Sequence, residues 1–442
     1  MNVRILSPDL YTYGAMLIGG ILQDAGMEVT LARSAGPCEE KILLLSLYST
    51  QHLLDQKIKD SVRQHREKGG VCYAGGPVSS APEMVLGELG VDAVVVGEGE
   101  NAVVPLVKRG ISPDIPGIAY RDGDRVVVQP PVPPVTLARP LPLIPDDIGA
   151  QSIRGASAYI ESHRGCLGGC TFCQVPRFFG REIRSREIGE VLREVRAFRD
   201  KGARRISISG GTGSLYCYRD GNLNPGAFIE LLSGMAGIMG RENVSAPDIR
   251  VDCITDEILE AVGKYTIGWV FFGIESGSDR ILSQMAKGVS VSQAKDAVEA
   301  CRSHGLKVAG SFIVGYPTET ADDYAASRDF IAEQGLDDVF VSIAEPIPGT
   351  PLARLVLRTA REENPLFQRD TGEFKKLGLS IAEARCFDLM MEADMYKPRL
   401  HVVTDQVFDL YLKEAKKQGN EIRAATDLLF RYSGSNLQQD CE

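Results

Sequence analysis

Twice along the chain, short apolar runs alternate with amphipathic helical patterns, and this double alternation limits the fold more than any other feature. A strand, a crossover helix and a second strand build a parallel sheet, whose ligands gather at the C-terminal strand ends. The first series places strands at 3–7, 29–32, 42–47, 71–74 and 93–96, with an amphipathic helix over 53–68. Glycine turns follow the last two, Gly75-Gly76-Pro77 and Gly97-Glu98-Gly99. Residues 1–125 therefore read as a doubly wound, flavodoxin-like domain.

Between 109 and 153 the alternation degrades and prolines collect, including Pro130-Pro131 and Pro133-Pro134, so 126–154 reads as a linker. The second series sets strands at 159–163, 205–209, 249–253, 269–274, 308–314 and 339–343, separated by helical patterns such as 187–201, 291–304 and 321–334. Six such units over 155–352 predict an incomplete (βα) barrel with its chemistry at the C-terminal strand ends. The tail, 353–442, is mostly helical in pattern and carries no strong chemical motif. The fold class expected is α/β: a doubly wound domain, a partial (βα)6 barrel and a small helical domain.

A chain of 442 residues exceeds one ordinary core. No apolar run approaches membrane-spanning length and the first ten residues read as a strand, so a cytoplasmic protein without a membrane partner is expected. A net charge of −10 argues against a nucleic-acid partner. Arginines do concentrate between Arg177 and Arg205, as the solvated face of a long helix or as contacts for an acidic substrate or phosphate. Ten cysteines without an export signal do not suggest a disulfide framework, and clustered ones suggest metal. Cys38, Cys72, Cys217, Cys253, Cys301, Cys386 and Cys441 lie singly and read mostly as small buried hydrophobes.

The cluster is Gly165-Cys166-Leu167-Gly168-Gly169-Cys170-Thr171-Phe172-Cys173, directly after the first barrel strand. Thiolates are soft ligands suited to iron–sulfur clusters or zinc, and a fully ligated cubane takes four cysteines, so three leave one iron open. The alternative is a zinc site completed by His163 or a distant cysteine; paired C-x2-C halves would mark it, and no second half is present. The C-x3-C-x2-C spacing with an aromatic before the last cysteine resembles the radical S-adenosylmethionine (SAM) superfamily closely. That resemblance implies a [4Fe-4S] cluster on Cys166, Cys170 and Cys173 whose open iron holds SAM and whose electron releases a 5'-deoxyadenosyl radical.

By the same resemblance, Phe172 and the run Ser209-Gly210-Gly211-Thr212 belong to the SAM site, although the family's common acidic residue is here Thr212. Glu275 and Ser276, ending the fourth barrel strand, would reach the SAM ribose or methionine, the alternative for Glu275 being a surface carboxylate. Ile313 would flank adenine, and Pro346-Ile347-Pro348-Gly349-Thr350 looks like a later motif of the family.

In the N-terminal domain no G-x-G-x-x-G follows the first strand, which disfavours a dinucleotide. A doubly wound domain ahead of such a barrel resembles the cobalamin-dependent radical SAM family. The cobalamin residues implied are Tyr48, Ser49, Thr50, Gly75, Gly76, Pro77, Glu98 and Gly99. The Asp-x-His-x-x-Gly motif of cobalamin mutases is absent, so no histidine is expected beneath cobalt. Tyr48 would lie near that lower face or else cover the sheet edge, and His52 reads as helix surface. A domain that keeps this fold without the cofactor is the other reading.

The resemblance implies a C-methyltransferase that uses two SAM molecules, through methylcobalamin and the 5'-deoxyadenosyl radical. It also implies a low-potential electron donor and a protein or peptide substrate. Within the class, the Cys-x-Phe-Cys-Gln-Val-Pro-Arg run and the short helical tail look most like archaeal enzymes that modify methyl-coenzyme M reductase, with glutamine as the methylated residue. One rival is a methylthiotransferase, for which the family needs N-terminal cysteines to hold a second cluster, and Cys38 and Cys72 are too few. Other rivals are a radical SAM oxidase or rearrangement enzyme and a non-catalytic cobalamin or iron–sulfur carrier; a carrier would not need the motifs around Gly210 and Glu275.

Overall fold

The computed structural model describes residues 1–209, 211–245, 247–398, 402 and 404–433. The N-terminal sheet holds β1 (Asn2–Leu6), β2 (Glu28–Ala32), β3 (Ile42–Ser46), β4 (Val71–Gly75), β5 (Ala93–Val95), β6 (Ile118–Asp122) and β7 (Arg125–Val128), in the order β2-β1-β3-β4-β5-β6-β7. The first five are parallel, in the flavodoxin-like order that the alternation predicts. β6 and β7 add an antiparallel hairpin that runs into the stretch expected as linker. Its two strands are short and meet at charged ends, Asp122 opposite Arg125, so its apolar pattern is diluted.

Side chains of successive strand residues leave on opposite faces, and the two cores record it. Val3, Ile5, Ile42 and Leu44 enter one core under α1 (Tyr13–Asp24) and α4 (Glu100–Arg109). Leu6, Leu43, Leu45 and Cys72 enter the other, under α2 (Gln56–Glu67) and α3 (Pro82–Leu89). A parallel sheet covered on both faces needs such runs.

The barrel strands are β8 (Ala158–Glu161), β11 (Ile206–Ser209), β12 (Asp248–Ile249), β13 (Trp269–Glu275), β14 (Lys307–Val314) and β15 (Asp338–Ile343). Beside the first of them, β9 (His163–Arg164) and β10 (Arg184–Ser185) form a small antiparallel ladder. β8 pairs with β11, and β12 to β15 form a second parallel sheet. An isolated parallel bridge between Ile206 and Val244 links the two sets, so the cylinder stays incomplete. The third strand is shorter than expected because the chain turns after Ile249, where Arg250 folds its guanidinium onto Asp252 at 2.8 and 2.9 Å.

Helices α5 (Val175–Phe178), α6 (Ile188–Asp200), α7 (Pro225–Met239), α8 (Asp256–Tyr265), α9 (Asp279–Gln284), α10 (Val291–Ser303), α11 (Ala321–Gln334) and α12 (Pro351–Arg358) accompany the barrel. The C-terminal region is helical, with α13 (Ile381–Met395) and α14 (Asp405–Tyr432). α14 belongs to two cores: Ala415 and Ile422 pack in that of the barrel, Leu428 and Leu429 in that of the N-terminal domain. Gln418 on α14 also occupies the open edge of β15, accepting from Ile343 N at 3.0 Å and donating to Val341 O at 3.3 Å. No helix of the described residues is long and apolar enough to cross a membrane.

Candidate functional site

The cysteine loop leaves β9 through Gly165, whose φ of +96° and contact with the Glu182 carbonyl leave no place for a Cβ. Cys166 and Cys170 are buried and Cys173 is half-buried. A Cβ on Gly168 would stand 3.5 and 3.6 Å from the sulfurs of Cys170 and Cys166 and 2.9 Å from Arg250 Nη1, so the loop folds around this bare backbone. Its outer carbonyls are held by arginines: Arg177 Nη1 donates to Cys170 O at 2.8 Å and Cys173 O at 2.5 Å, and Arg181 Nη2 to Leu167 O at 2.7 Å.

Burial pushes the Cys170 and Cys173 thiols up, Cys173 to about 11, while the Lys287 and Arg250 charges act on Cys170 in the opposite direction. Ligation requires thiolates, so loading this loop with metal must release protons. Among the described residues, no three His, Cys, Asp or Glu side chains are gathered to hold a single ion. On a cubane the three thiolates bind separate irons and need not converge as single-ion ligands do, so the donor set fits a [4Fe-4S] cluster. His163, the candidate fourth zinc ligand, is buried and meets Ser162 Oγ through Nδ1 at 2.9 Å.

Against this loop stands a buried ion pair. Glu275 ends β13 with φ +70° and accepts hydrogen bonds from Lys287 Nζ at 2.9 Å and Ser311 Oγ at 3.1 Å. Burial alone would depress the Lys287 ammonium, but Glu275 and Cys170 more than offset it and hold its pKa above the ordinary value. Gly273 makes room, since a Cβ there would lie 2.8 Å from Lys287 Nζ. Lys287 also lies over the Phe172 ring, 6.0 Å from its centroid. Phe172 and Ile313 pack on one apolar cluster with Met285, Tyr316 and Leu352.

The remaining expected SAM residues are placed differently. Ser276 is buried and faces α11, its Oγ near Ser327 Oγ and accepting from Ser278 N. Thr212 is buried with a hydroxyl that meets no partner among the described residues, and Gly211 holds φ +85° with its Cα side toward Val175 and Cys166. Gly210 lies outside the described residues.

A cavity of about 290 Å³ opens at the C-terminal ends of β1, β3, β4 and β5. Tyr48, Gly75, Gly76, Pro77, Glu98 and Gly99 line it. Gly76 has φ +96°, and a Cβ there would sit 2.5 Å from Leu47 O. Ser49 and Thr50 do not line it: Ser49 caps the short 3-10 turn that Thr50 begins, its Oγ accepting from Gln51 N. His52 is buried in that turn, edge-on to Tyr48 at 4.5 Å between ring centroids, not on a helix surface.

The opposite wall belongs to the barrel. Phe178, Phe179, Glu161 and Arg164 close the cavity, and Thr12, Tyr13 and Ser46 complete it from the N-terminal side. Arg164 is the hub, pairing with Glu98, with Glu100 at 2.5 Å and with Glu161 at 3.0 Å. Arg139 pairs with Glu161 at 2.6 Å and donates to Tyr13 Oη at 2.8 Å. Gln174, next to Cys173, donates to Pro77 O at 2.6 Å and Ser80 Oγ at 2.7 Å, tying the cysteine loop to the rim of the cavity.

Sequence reasoning missed Lys287, Arg250, Gln174 and this barrel wall. The adjacent aromatics Phe178-Phe179 just past the cysteines were the available signal for the wall.

The family profile described as Radical SAM superfamily matches residues 160–331. A protein of Methanocaldococcus jannaschii with the provisional name methylthiotransferase is 52% identical over 98% of this chain and 96% of its own. The tRNA-2-methylthio-N(6)-dimethylallyladenosine synthase of Verminephrobacter eiseniae is 33% identical over 49% of each chain, so this chain matches about half of that relative. Among solved structures, the radical SAM methyltransferase TsrM of Kitasatospora setae, with cobalamin and a [4Fe-4S] cluster bound, covers 96% of this chain and 99% of its own at TM-score 0.70 and 15% identity. The cobalamin-dependent SAM radical enzyme OxsB, with aqua-cobalamin and SAM bound, covers 100% of this chain and 73% of its own at TM-score 0.65 and 18% identity. At those identities the two structures share the fold. With its cysteine motif intact and a full-length relative at 52% identity, the chain belongs to the radical SAM superfamily.

Proposed function

We propose that the protein is a cobalamin-dependent radical SAM C-methyltransferase. The observation that carries this reading is the cavity walled jointly by the strand ends of the doubly wound domain and by the aromatic and ionic residues that follow the cysteine loop. Bound in these places, a cluster with an open iron would supply the electron that splits SAM, and a cobalamin would carry a methyl group toward a substrate radical. Cys166, Cys170 and Cys173 would hold the first, and Tyr48, Gly75, Gly76, Pro77, Glu98 and Gly99 would line the second. The chain's own work is positional. Glu275 and Lys287 offer opposite charges to the amino and carboxylate groups of SAM, Phe172 and Ile313 exclude water, and Gln174 holds the cysteine loop against the cavity.

The names of two relatives favour a second reading, a methylthiotransferase. Cys38 and Cys72 are poor ligands for the second cluster that reading needs: both lie in the apolar core of the N-terminal domain, and burial pushes their thiols to about 11 and about 12. For the substrate, the motif resemblance supports the glutamine region of methyl-coenzyme M reductase.

Anaerobically reconstituted enzyme, methyl-deuterated SAM and a peptide of that region test the reading. One 5'-deoxyadenosine and one S-adenosylhomocysteine per trideuteromethylated glutamine are expected. Methylation of a different peptide alone would reject the substrate and keep the class; two clusters per chain with sulfur in the product would establish the methylthiotransferase instead.

A further inference from the structure

Of the nine arginines between Arg177 and Arg205, three form ion pairs among the described residues and two hold the cysteine loop. Arg184, Arg186 and Arg199 are consumed by ion pairs with Glu98, Glu194 and Asp200. Arg177 and Arg181 are exposed and pair with no carboxylate among the described residues; both instead grip backbone carbonyls of the cysteine loop. Arg177 holds the carbonyl of Cys173, the least buried of the three cysteines, so its charge lies beside that residue.

A second segment brings more positive charge to the same place. α12 is pinned to the loop by Leu352 N, which donates to Thr171 O at 3.0 Å. It carries Arg354, close enough for its charge to act on the Arg177 guanidinium, and the exposed Arg358 one turn on. Neither forms an ion pair among the described residues, and Glu182, beside Arg181 in sequence, makes none with it. Arg181 shares its cavity with Glu182, Glu187, Asp220 and Glu230, whereas Arg177, Arg354 and Arg358 present positive charge that no described carboxylate pairs, on a chain of net charge −10. An acidic protein would be repelled by most of the surface and steered to this face.

We propose that the face formed by Arg177, Arg354 and Arg358 is the docking and electron-entry surface for an acidic one-electron donor protein. The proposal rests on the radical SAM reading, which requires an electron for each SAM cleaved. That electron leaves the donor, whose own cofactor is oxidised by one unit, and breaks the sulfonium C–S bond, leaving methionine and the 5'-deoxyadenosyl radical. The hydrogen bonds of Arg177 to the carbonyls of Cys170 and Cys173 give the electron a short route from the docked surface to the loop.

The test compares two reductants on the full-length reconstituted enzyme, dithionite and reduced flavodoxin, an acidic flavin protein, with 5'-deoxyadenosine as readout. For Arg354→Glu combined with Arg358→Glu, the dithionite rate should match the unmodified protein while the KM for flavodoxin rises at least tenfold at low salt. Arg354→Lys, which keeps the charge, should restore it. Raising salt should raise the flavodoxin KM of the unmodified protein and leave that of the charge-reversed variant flat. An unchanged flavodoxin KM, or equal losses with both reductants, overturns the docking surface. Absence of 5'-deoxyadenosine from the unmodified protein with dithionite overturns the radical SAM reading itself, and the surface with it.

Discussion

Glu275 holds a left-handed backbone at the end of β13, a conformation that for a non-glycine residue costs on the order of 1–3 kcal/mol. The strain persists because Lys287, Ser311 and the gap left by Gly273 fix the carboxylate in place. Breaking a buried ion pair from one side typically costs about 3–5 kcal/mol, whereas replacing both charges together can be close to neutral. Lys287→Met should therefore destabilise the apoprotein by about 3–5 kcal/mol, and Glu275→Gln with Lys287→Met should recover most of it. Denaturant midpoints measure the first effect. If the pair also receives SAM, calorimetric SAM affinity of the cluster-loaded double variant should fall at least tenfold despite restored stability. Recovery of both stability and affinity would make the pair purely structural.

At the scale of elements, the cysteine loop and the Gly75–Pro77 turn approach through one side chain, Gln174, whose amide nitrogen reaches Pro77 O and Ser80 Oγ. Each such bond contributes about 1 kcal/mol net, too little to decide folding but enough to set the loop against the cavity rim. Gln174→Ala should leave deoxyadenosine formation by the reconstituted enzyme nearly intact while methylated product per deoxyadenosine drops several-fold. Proportional loss of both would refute the positioning role. What was legible in the sequence follows the same division. The three cysteines, the order of the parallel strands and the glycine turns are local, and spacing reports them. The cavity wall sets Tyr13, Arg164 and Phe179 against the Glu98 turn that the sequence did single out; those three lie far from it in sequence, and singly they read as core aromatics or a surface charge. Lys287 was hidden for the same reason, since nothing in a loop lysine announces a carboxylate twelve residues earlier.

Across the whole molecule, ties of different chemistry hold the N-terminal domain to the barrel, and two of them respond differently to pH. One is α14, whose Leu428 and Leu429 fill the N-terminal core; apolar burial of this kind is indifferent to pH. The other is the ionic network centred on Arg164. Burial alone would raise the Glu161 pKa, but Arg164 and Arg139 more than offset it and hold the carboxyl below the usual carboxylate range. A carboxylate depressed by folding adds stability above its unfolded pKa of about 4.5, and that contribution is lost as pH falls through the folded value. The unmodified protein should thus resist proteolysis at the interface at neutral pH and lose resistance below about pH 4.5. Arg164→Met should reverse the slope. With Arg164 removed, Glu161 keeps Arg139 and Glu98 keeps Arg184, but Glu100 loses its ion-pair partner and the cluster holds three carboxylates against two guanidinium groups, so the variant should be least stable at neutral pH and regain stability as the solution is acidified toward pH 5. Thermal midpoints of the two proteins between about pH 5 and pH 8 decide the matter, at an expected neutral-pH penalty of about 3–5 kcal/mol. Parallel pH profiles for the two would mean that the Arg164 network does not hold the domains together.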